Sequence, residues 1–340
     1  MNINKKLLKW YDLNKRELPW RKKSHQDSID PYYIWISEIM LQQTTVNTVV
    51  PYFEKFIKKF PNIFKLSNSS TSQVLKYWAG LGYYARARNI HKSAKIIVKK
   101  YKGIIPNNMD SLLELPGIGD YTAGAIITIA FNQIAFPIDV NIKRVVNRLS
   151  NNHGSNKTES TDFLKNNIAV DRPGDFIEAL MDLGAQICKA KSPKCELCPL
   201  IKNCKSFINN KNILIYKKKI NKTKIIKYGI CFIIERTQDK KYFFIRMPEK
   251  GLYGGMLSFP TSTWMDDSKL LIKETIFNLS EFKIIKDKVL HSFSHFQLEL
   301  LIYYKKDYKF NNIKGKWLKI DEARPQLSSL MRKVLDKFIC

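Results

Sequence analysis

Apolar residues along the first 205 positions recur at helical spacing. Tyr33 to Gln43 reads as a compact apolar helix, and Asp110 to Asn132 as helix, tight glycine turn, helix. Ile142 to Leu149 and Phe176 to Ile187 continue the helical pattern, the latter behind Pro173-Gly174, and no long alternating strand interrupts it. The pattern changes after about residue 227. Tyr228 to Ile234 and Tyr242 to Arg246 alternate as strands, and Gly251, Gly254 and Gly255 mark a loop. Lys269 to Leu279 has helical spacing, Phe282 to Leu290 and Phe296 to Tyr304 are strand-like, and Gln326 to Phe338 closes the chain as a helix. The pattern predicts a multidomain α and α+β protein: an all-α domain over 1–206, a basic linker over 207–227 and a smaller α+β domain over 228–340.

The chain has 340 residues, enough for two cores, and carries a net charge of +28. Such a surface suits a polyanion, nucleic acid before membrane. Lys supplies most of that charge, however, and residues 1–205 and 206–340 share it equally, so the total marks no single binding face. The local excess is more telling. From Glu196 to Glu235 there is no intervening acidic residue, while nine lysines lie between Lys202 and Lys227. The polar start, Met1 to Trp20, has no secretory apolar region. The longest apolar stretch, Ala123 to Ile138, is broken by Asn132, Gln133 and Pro137 and reads as a buried helix, not a membrane span. A reducing cytoplasm, and metal or cluster binding by cysteine in place of disulfides, is the expectation.

Three patterns carry chemistry. Cys188, Cys195, Cys198 and Cys204 form C-x6-C-x2-C-x5-C. Four thiolates so spaced can enclose one zinc ion or one cubane cluster, and the uneven loops favour an iron–sulfur cluster. Cys231 and Cys340 fall outside the pattern, as a strand cysteine and a tail cysteine. Leu115-Pro116-Gly117-Ile118-Gly119 lies between two helical stretches. It has the form of a hairpin that holds a phosphate backbone without reading bases; a plain helix connection is the simpler alternative. Finally, Glu38 is the only charge in Ile34 to Leu41, and Asp139 precedes a helix. A carboxyl held on an apolar helix is desolvated and keeps its proton, as a general acid requires; an exposed glutamate on an amphipathic helix is the simpler alternative. Asp139 is read either as an ordinary N-cap or as the carboxylate facing a developing cation.

These elements occur in the order and spacing of the endonuclease III superfamily of helix-hairpin-helix DNA glycosylases, which the chain resembles over nearly its whole length. The matching stretches are Leu18 to Arg21, WISEIMLQQT from Trp35, GLGYYAR from Gly80, LPGIGDYTAGA from Leu115, the cysteine loop, Gly251 to Pro260 and His291 to His295. The likeness is greatest to the adenine-removing branch. It implies a monofunctional, monomeric base excision repair enzyme that flips adenine paired with 8-oxoguanine or guanine out of double-stranded DNA and hydrolyses its glycosidic bond. The expected location is the cytoplasm of a bacterium, at the nucleoid, with no membrane partner. Glu38 would protonate adenine, and Asp139 would stabilise the oxocarbenium-like sugar, with a transient adduct as one route. Tyr121 and Asn141 would support them.

The same resemblance places Arg21 and Glu178 at the adenine pocket, Gln43 and Tyr83 in the duplex where the base left, and Leu115, Gly117 and Gly119 on the backbone. It implies one 4Fe-4S cluster on Cys188, Cys195, Cys198 and Cys204. It also implies a Nudix-like second domain in which Phe293, Ser294 and His295 meet the lesion. Thr261 to Glu281 lacks a dense glutamate box, so pyrophosphohydrolase activity is not expected. Tyr121 stands where strand-cutting relatives carry a Schiff-base lysine, which separates this reading from a pyrimidine-damage lyase. Val140 replaces the glycine usual between the Asp and the Asn.

Overall fold

The computed structural model describes residues 2–21, 29–151, 157–209, 224–273, 277–309 and 313–339. Contacts divide the chain into two compact units. One comprises residues 1–68 and 89–218; the other comprises 69–88 and 219–340. The segment from Ser69 to Arg88, helical in sequence character, thus packs with the C-terminal unit.

The first unit is helical among the described residues. Its elements are α1 (Ile3–Asn14), α2 (Pro31–Leu41), α3 (Val46–Lys59) and α4 (Ile63–Ser67); α5 (Thr71–Trp78) belongs to the other unit, and α6 (Ala85–Tyr101) starts there and returns. Then follow α7 (Met109–Leu113), α8 (Asp120–Ala125), α9 (Val140–Ser150), α10 (Lys157–Asn167), α11 (Pro173–Gln186) and the short α12 (Lys205–Ile208). Helix α2 starts where the sequence supplies both a cap and a stiff first turn: the Asp30 side chain accepts from the Tyr32 amide at 2.8 Å, and Pro31 opens the helix. Its residues from Ile34 to Met40 are all buried. Helix α11 is buried from Pro173 to Gly184, with α1 and α9 packed on it. Helix α8 runs into a π-helical stretch, Ile126–Ala130, where Thr128 Oγ1 donates to the Gly124 carbonyl at 2.8 Å. Such wide turns cluster at functional sites.

The second unit holds a mixed sheet. Its strands are β1 (Ile225–Arg236), β2 (Lys241–Arg246), β3 (Leu257–Ser258), β4 (Lys283–Ser292), β5 (Phe296–Lys306) and β6 (Lys316–Leu318). The order is β3-β2-β1-β5-β4, with β6 also on β2; β1 and β5 run parallel and the other pairs antiparallel. Period-two alternation explains the layers. Cys231 and Ile233 point to one face, packed with Leu300 of β5 and with Leu330 and Val334 of helix α14 (Ser329–Ile339). Ile230, Phe232 and Ile234 point to the other, against Phe277 and Phe282. A four-residue helix, α13 (Ile320–Ala323), precedes α14.

Several elements differ from the sequence reading. The first strand begins at Ile225, inside the stretch assigned to the linker, because Ile225 to Lys227 pair with Phe296 to Leu298. Most of that linker, 210–223, lies outside the described residues, as do Cys340 and the middle of the helix expected over 269–279. The flanks of that expected helix are short 3-10 turns, Ser268–Lys273 and Leu279–Glu281. No helix among the described residues is long and apolar enough to cross a membrane.

Candidate active site

Glu38 lies in the third turn of α2 and is 7 % exposed. Burial pushes its carboxyl up to about 7; the neighbouring carboxylates of Asp139 and Glu178 push the same way, while a hydrogen bond with Tyr121 opposes them. Tyr121 projects from the first turn of α8, and burial beside Glu38 and Asp139 holds its phenol well above the ordinary value. The pair therefore places a proton-holding carboxyl and a neutral phenol next to a second carboxylate.

Asp139 is the N-cap of α9. Its Oδ1 accepts from the Ile142 amide at 2.6 Å, and its Oδ2 accepts from Asn141 Nδ2 at 2.8 Å. The capping role and the proposed catalytic role are thus compatible: the cap bonds fix the carboxylate's direction. Asn141 is held in turn by Arg144, whose Nη2 donates to Asn141 Oδ1 at 2.8 Å and to the Gly184 carbonyl at 2.7 Å. Arg144 Nε also reaches the Cys188 carbonyl at 2.7 Å. A Cβ on Gly184 would lie 2.8 Å from Asn141 Cβ, so only glycine lets α11 come this close. Val140, where a glycine was expected, opens α9 with an ordinary negative φ and an exposed side chain. The substitution strains nothing.

Arg21 and Glu178 are brought together behind Glu38. Arg21 Nε stands 3.1 Å from Glu178 Oε1, and its two terminal nitrogens clasp Asp182 at 2.7 and 2.9 Å. Arg16 Nε reaches Asp182 at 2.7 Å, and Tyr11 donates its hydroxyl to Glu178 at 2.6 Å. Asp182 is fully buried. Burial alone would raise its carboxyl, but the Arg21 hydrogen bonds and the two arginine charges hold it below the usual carboxylate range.

The hairpin forms as expected between α7 and α8. Gly117 has φ +86°, and a Cβ there would meet Asn89 at 2.9 Å, so glycine is required on both counts. A Cβ on Gly119 would meet nothing, which leaves that side of the turn open. The Leu115 side chain is 2 % exposed and anchors the turn in the core, which leaves its main chain as the part that can face a phosphate backbone. Ser93 Oγ secures it by donating to the Pro116 carbonyl at 2.9 Å. At the end of α2, Gln43 is exposed in the left-handed region at φ +58°. Its neighbour Gln42 binds back to Thr122 Oγ1 at 3.2 Å.

The four cysteines come together. Cys188, Cys195, Cys198 and Cys204 line one cavity, walled further by Val145, Leu149, Leu183 and Ile187. Burial pushes the Cys198 thiol up to about 12, reinforced by the neighbouring thiols. Arg148 Nη1 approaches Cys188 Sγ at 3.2 Å, a contact suited to a sulfur carrying negative charge. Among the described residues, no three His, Cys, Asp or Glu side chains group as a single metal ion would need. The four thiols around one cavity are the donor set that a cubane cluster would take. Lys189, Lys191, Lys194, Lys202 and Lys205 are all exposed around it.

In the second unit, Phe293, Ser294 and His295 form the turn between β4 and β5, and the Phe293 amide donates to the Phe296 carbonyl at 2.8 Å. Ser294 and His295 are exposed. Phe293 stacks on Phe296 with ring centroids 4.5 Å apart and touches Trp264, Tyr253 and His291. Tyr83 belongs to this unit, sits at φ +48° and is half exposed.

Comparison with known proteins decides the family. The HhH-GPD superfamily base excision DNA repair profile matches residues 36–168, and a NUDIX domain profile matches residues 230–337. An adenine DNA glycosylase of Buchnera aphidicola subsp. Baizongia pistaciae is 41 % identical over 87 % of this chain and 83 % of its own. The chain belongs to the adenine DNA glycosylase family. The Arabidopsis thaliana adenine DNA glycosylase is 34 % identical over 80 % of this chain, which spans 49 % of that relative. Among solved structures, a thermostable thymine-DNA glycosylase superimposes at TM-score 0.54 and 29 % identity, over 61 % of this chain and 95 % of its own. A trapped endonuclease III–DNA covalent intermediate superimposes at TM-score 0.52 and 23 % identity, over 62 % of this chain and 95 % of its own, and shares the fold.

This DNA glycosylase also contains site residues that sequence reasoning passed over. Asp182 lies one turn after Glu178 in the apolar run Phe176 to Ala185 and carries the same signal as Glu38, a charge on a buried helix. Arg16, Arg144, Gln42 and Gly184 have no such local signal. Their partners are distant in sequence.

Proposed function

We propose that this glycosylase removes adenine mispaired with 8-oxoguanine or guanine from duplex DNA, and that it does so without cutting the strand. The observation that carries this reading is the buried Glu38 carboxyl, still protonated near neutrality, beside Tyr121 and Asp139. Adenine leaves slowly as an anion. Glu38 delivers its proton to the flipped base, which then departs neutral. The sugar becomes cationic as the bond breaks, and the Asp139 carboxylate, aimed by Asn141 and the Ile142 amide, faces that charge. Arg21 and Glu178 shape the adenine pocket as a locked ion pair. Gln43 and Tyr83, both in left-handed backbone, fill the gap in the duplex. Gly117 and Gly119 hold the backbone.

Tyr121 supports the monofunctional reading, since a phenol forms no Schiff base with the sugar. Cys188, Cys195, Cys198 and Cys204 would hold a 4Fe-4S cluster, which would brace the lysine-bearing loop as a cross-link. In the second unit, Phe293, Ser294 and His295 read the oxidised guanine from an exposed turn on an aromatic base.

Adenine release from an A:8-oxoguanine duplex under single-turnover conditions tests this function, with Glu38→Gln as the control. Release by the wild type and its loss in the variant are expected; no release by the wild type refutes the assignment. Borohydride added during turnover should trap no strong enzyme–DNA adduct, and an adduct abolished by mutating a lysine would overturn the monofunctional mechanism.

A further inference from the structure

The fully buried Asp182 carboxylate is gripped by two arginines from the segment after α1. Its Oδ1 accepts from Arg21 Nη2 at 2.9 Å and from Arg16 Nε at 2.7 Å. Its Oδ2 accepts from Arg21 Nη1 at 2.7 Å and from the Arg16 amide at 2.9 Å. Both terminal nitrogens of Arg21 are thus committed to one carboxylate, in the two-pronged geometry that fixes a guanidinium plane. The third nitrogen is not. Arg21 Nε is buried without a hydrogen-bond acceptor, although it stands 3.1 Å from Glu178 Oε1. Glu178 accepts the Tyr11 hydroxyl on Oε2 at 2.6 Å, and burial beside the Glu178 charge keeps the proton on that phenol. The charges of Glu178 and Arg21 both act on Glu38, so the pair lies near the proposed acid.

Purines differ at carbon 6 in a way this arrangement can sense. Adenine carries an amine there, a donor, beside the acceptor nitrogen N1. Hypoxanthine and guanine carry a carbonyl, an acceptor, beside an N1 that donates. A carboxylate oxygen next to one unused N–H presents an acceptor beside a donor, which suits the first pattern and opposes the second. A guanidinium free to turn would change this. Its terminal edge offers two parallel donors, the geometry that binds a carbonyl oxygen. The clasp on Asp182 holds that edge back.

We propose that Asp182 is a positioning residue that determines base specificity: by holding the terminal nitrogens of Arg21, it leaves Glu178 as acceptor beside Arg21 Nε as donor, and so selects a 6-amino purine against a 6-oxo purine. This rests on the reading that Arg21 and Glu178 line the adenine pocket. Asp182 touches no substrate in this scheme and acts through Arg21.

The test compares single-turnover release of adenine and of hypoxanthine, each opposite 8-oxoguanine, by the full-length wild type, Asp182→Asn, Asp182→Glu, Arg16→Met and Glu178→Gln. Asp182→Asn should lower the adenine-to-hypoxanthine rate ratio by about 10- to 100-fold, the worth of one hydrogen bond to a charged group. Asp182→Glu keeps the charge but displaces the clasp by one methylene, and should lower the ratio in the same direction; it carries the test if Asp182→Asn does not fold. Arg16→Met disturbs the same cluster while leaving both Arg21 prongs on Asp182, and should lower the ratio less. Equal losses on both bases in the Asp182 variants would show a brace with no part in selection and would overturn the inference. So would a fall in Arg16→Met as large as that in Asp182→Asn. Glu178→Gln, whose amide can donate as well as accept, should lower the ratio by itself. A fall there with an unchanged ratio in the Asp182 variants overturns the inference alone, whereas an unchanged ratio in Glu178→Gln removes the pocket reading with it.

Discussion

Replacing Glu38 by Gln should stabilise this protein at alkaline pH while abolishing its activity. In the folded protein the carboxyl titrates near 7, against an ordinary value of 4.5, because it is buried on α2. Between those two pH values the folded chain holds a proton that the unfolded chain has already released. Stability is therefore greatest below the lower value, falls as pH rises toward 7, and stays reduced above it. At about 1.36 kcal/mol per pH unit, the gap corresponds to about 3 kcal/mol. Gln is nearly isosteric, can still pair with the Tyr121 hydroxyl and never ionises. Urea unfolding of both proteins at about pH 5 and about pH 8.5 isolates the effect, since all other titrating groups cancel in the difference. The stability of the variant relative to wild type should rise by about 2–3 kcal/mol between the two conditions. A difference that stays constant with pH would show that Glu38 is not held protonated and would remove the physical basis for its role as acid. The wild-type single-turnover rate should fall above about pH 7, as the acid is lost.

Three further outcomes follow from the packing around the carboxylates and from the cysteine cavity. Gly184→Ala drives a methyl into Asn141, and adenine release should slow by about 10- to 100-fold as Asp139 loses its aim; full activity in a single-turnover assay would contradict the proposed support. Arg21→Met leaves Asp182 and Glu178 without their main counter-charge and should cost about 3–5 kcal/mol at neutral pH. That loss should shrink in acid, because Asp182, held below its ordinary value, contributes stability that disappears as it protonates; paired urea titrations measure both arms. The purified protein should be straw-brown and contain about four irons per chain, with both lost in Cys198→Ser; one zinc per chain by elemental analysis would refute the cluster.

Much of this was legible in the sequence because the signals are local. Glu38 stood out as a charge on an apolar helix, a contrast that fits either a buried acid or an exposed amphipathic face, and the packing of α2 decides for burial. The hairpin declared itself through two glycines, one of which does need a left-handed backbone. Strands β4 and β5, and the turn carrying Ser294 between them, were visible as alternation broken by polar residues. What remained hidden depends on partners far along the chain. Arg144 reads as a surface charge until α11 brings Gly184 beside it. The segment 69–88 has helical spacing, and nothing in its composition says that it packs against the sheet unit. The helix expected over 269–279 has the right apolar spacing, yet its ends form 3-10 turns, which short segments adopt when tertiary contacts outweigh propensity.

The placement of 69–88 bears on how the molecule can be taken apart. A cut in the lysine-rich stretch 210–223 divides the chain near its apparent domain boundary in sequence, but not where its contacts divide. The amino-terminal fragment would carry off Leu75, Tyr84 and Arg88, which pack on Gly255, Tyr253 and Gly254. The pieces should therefore co-elute after limited proteolysis as a complementing pair. A truncated helical fragment made alone should expose apolar surface and aggregate, unless the carboxy-terminal fragment is supplied in trans.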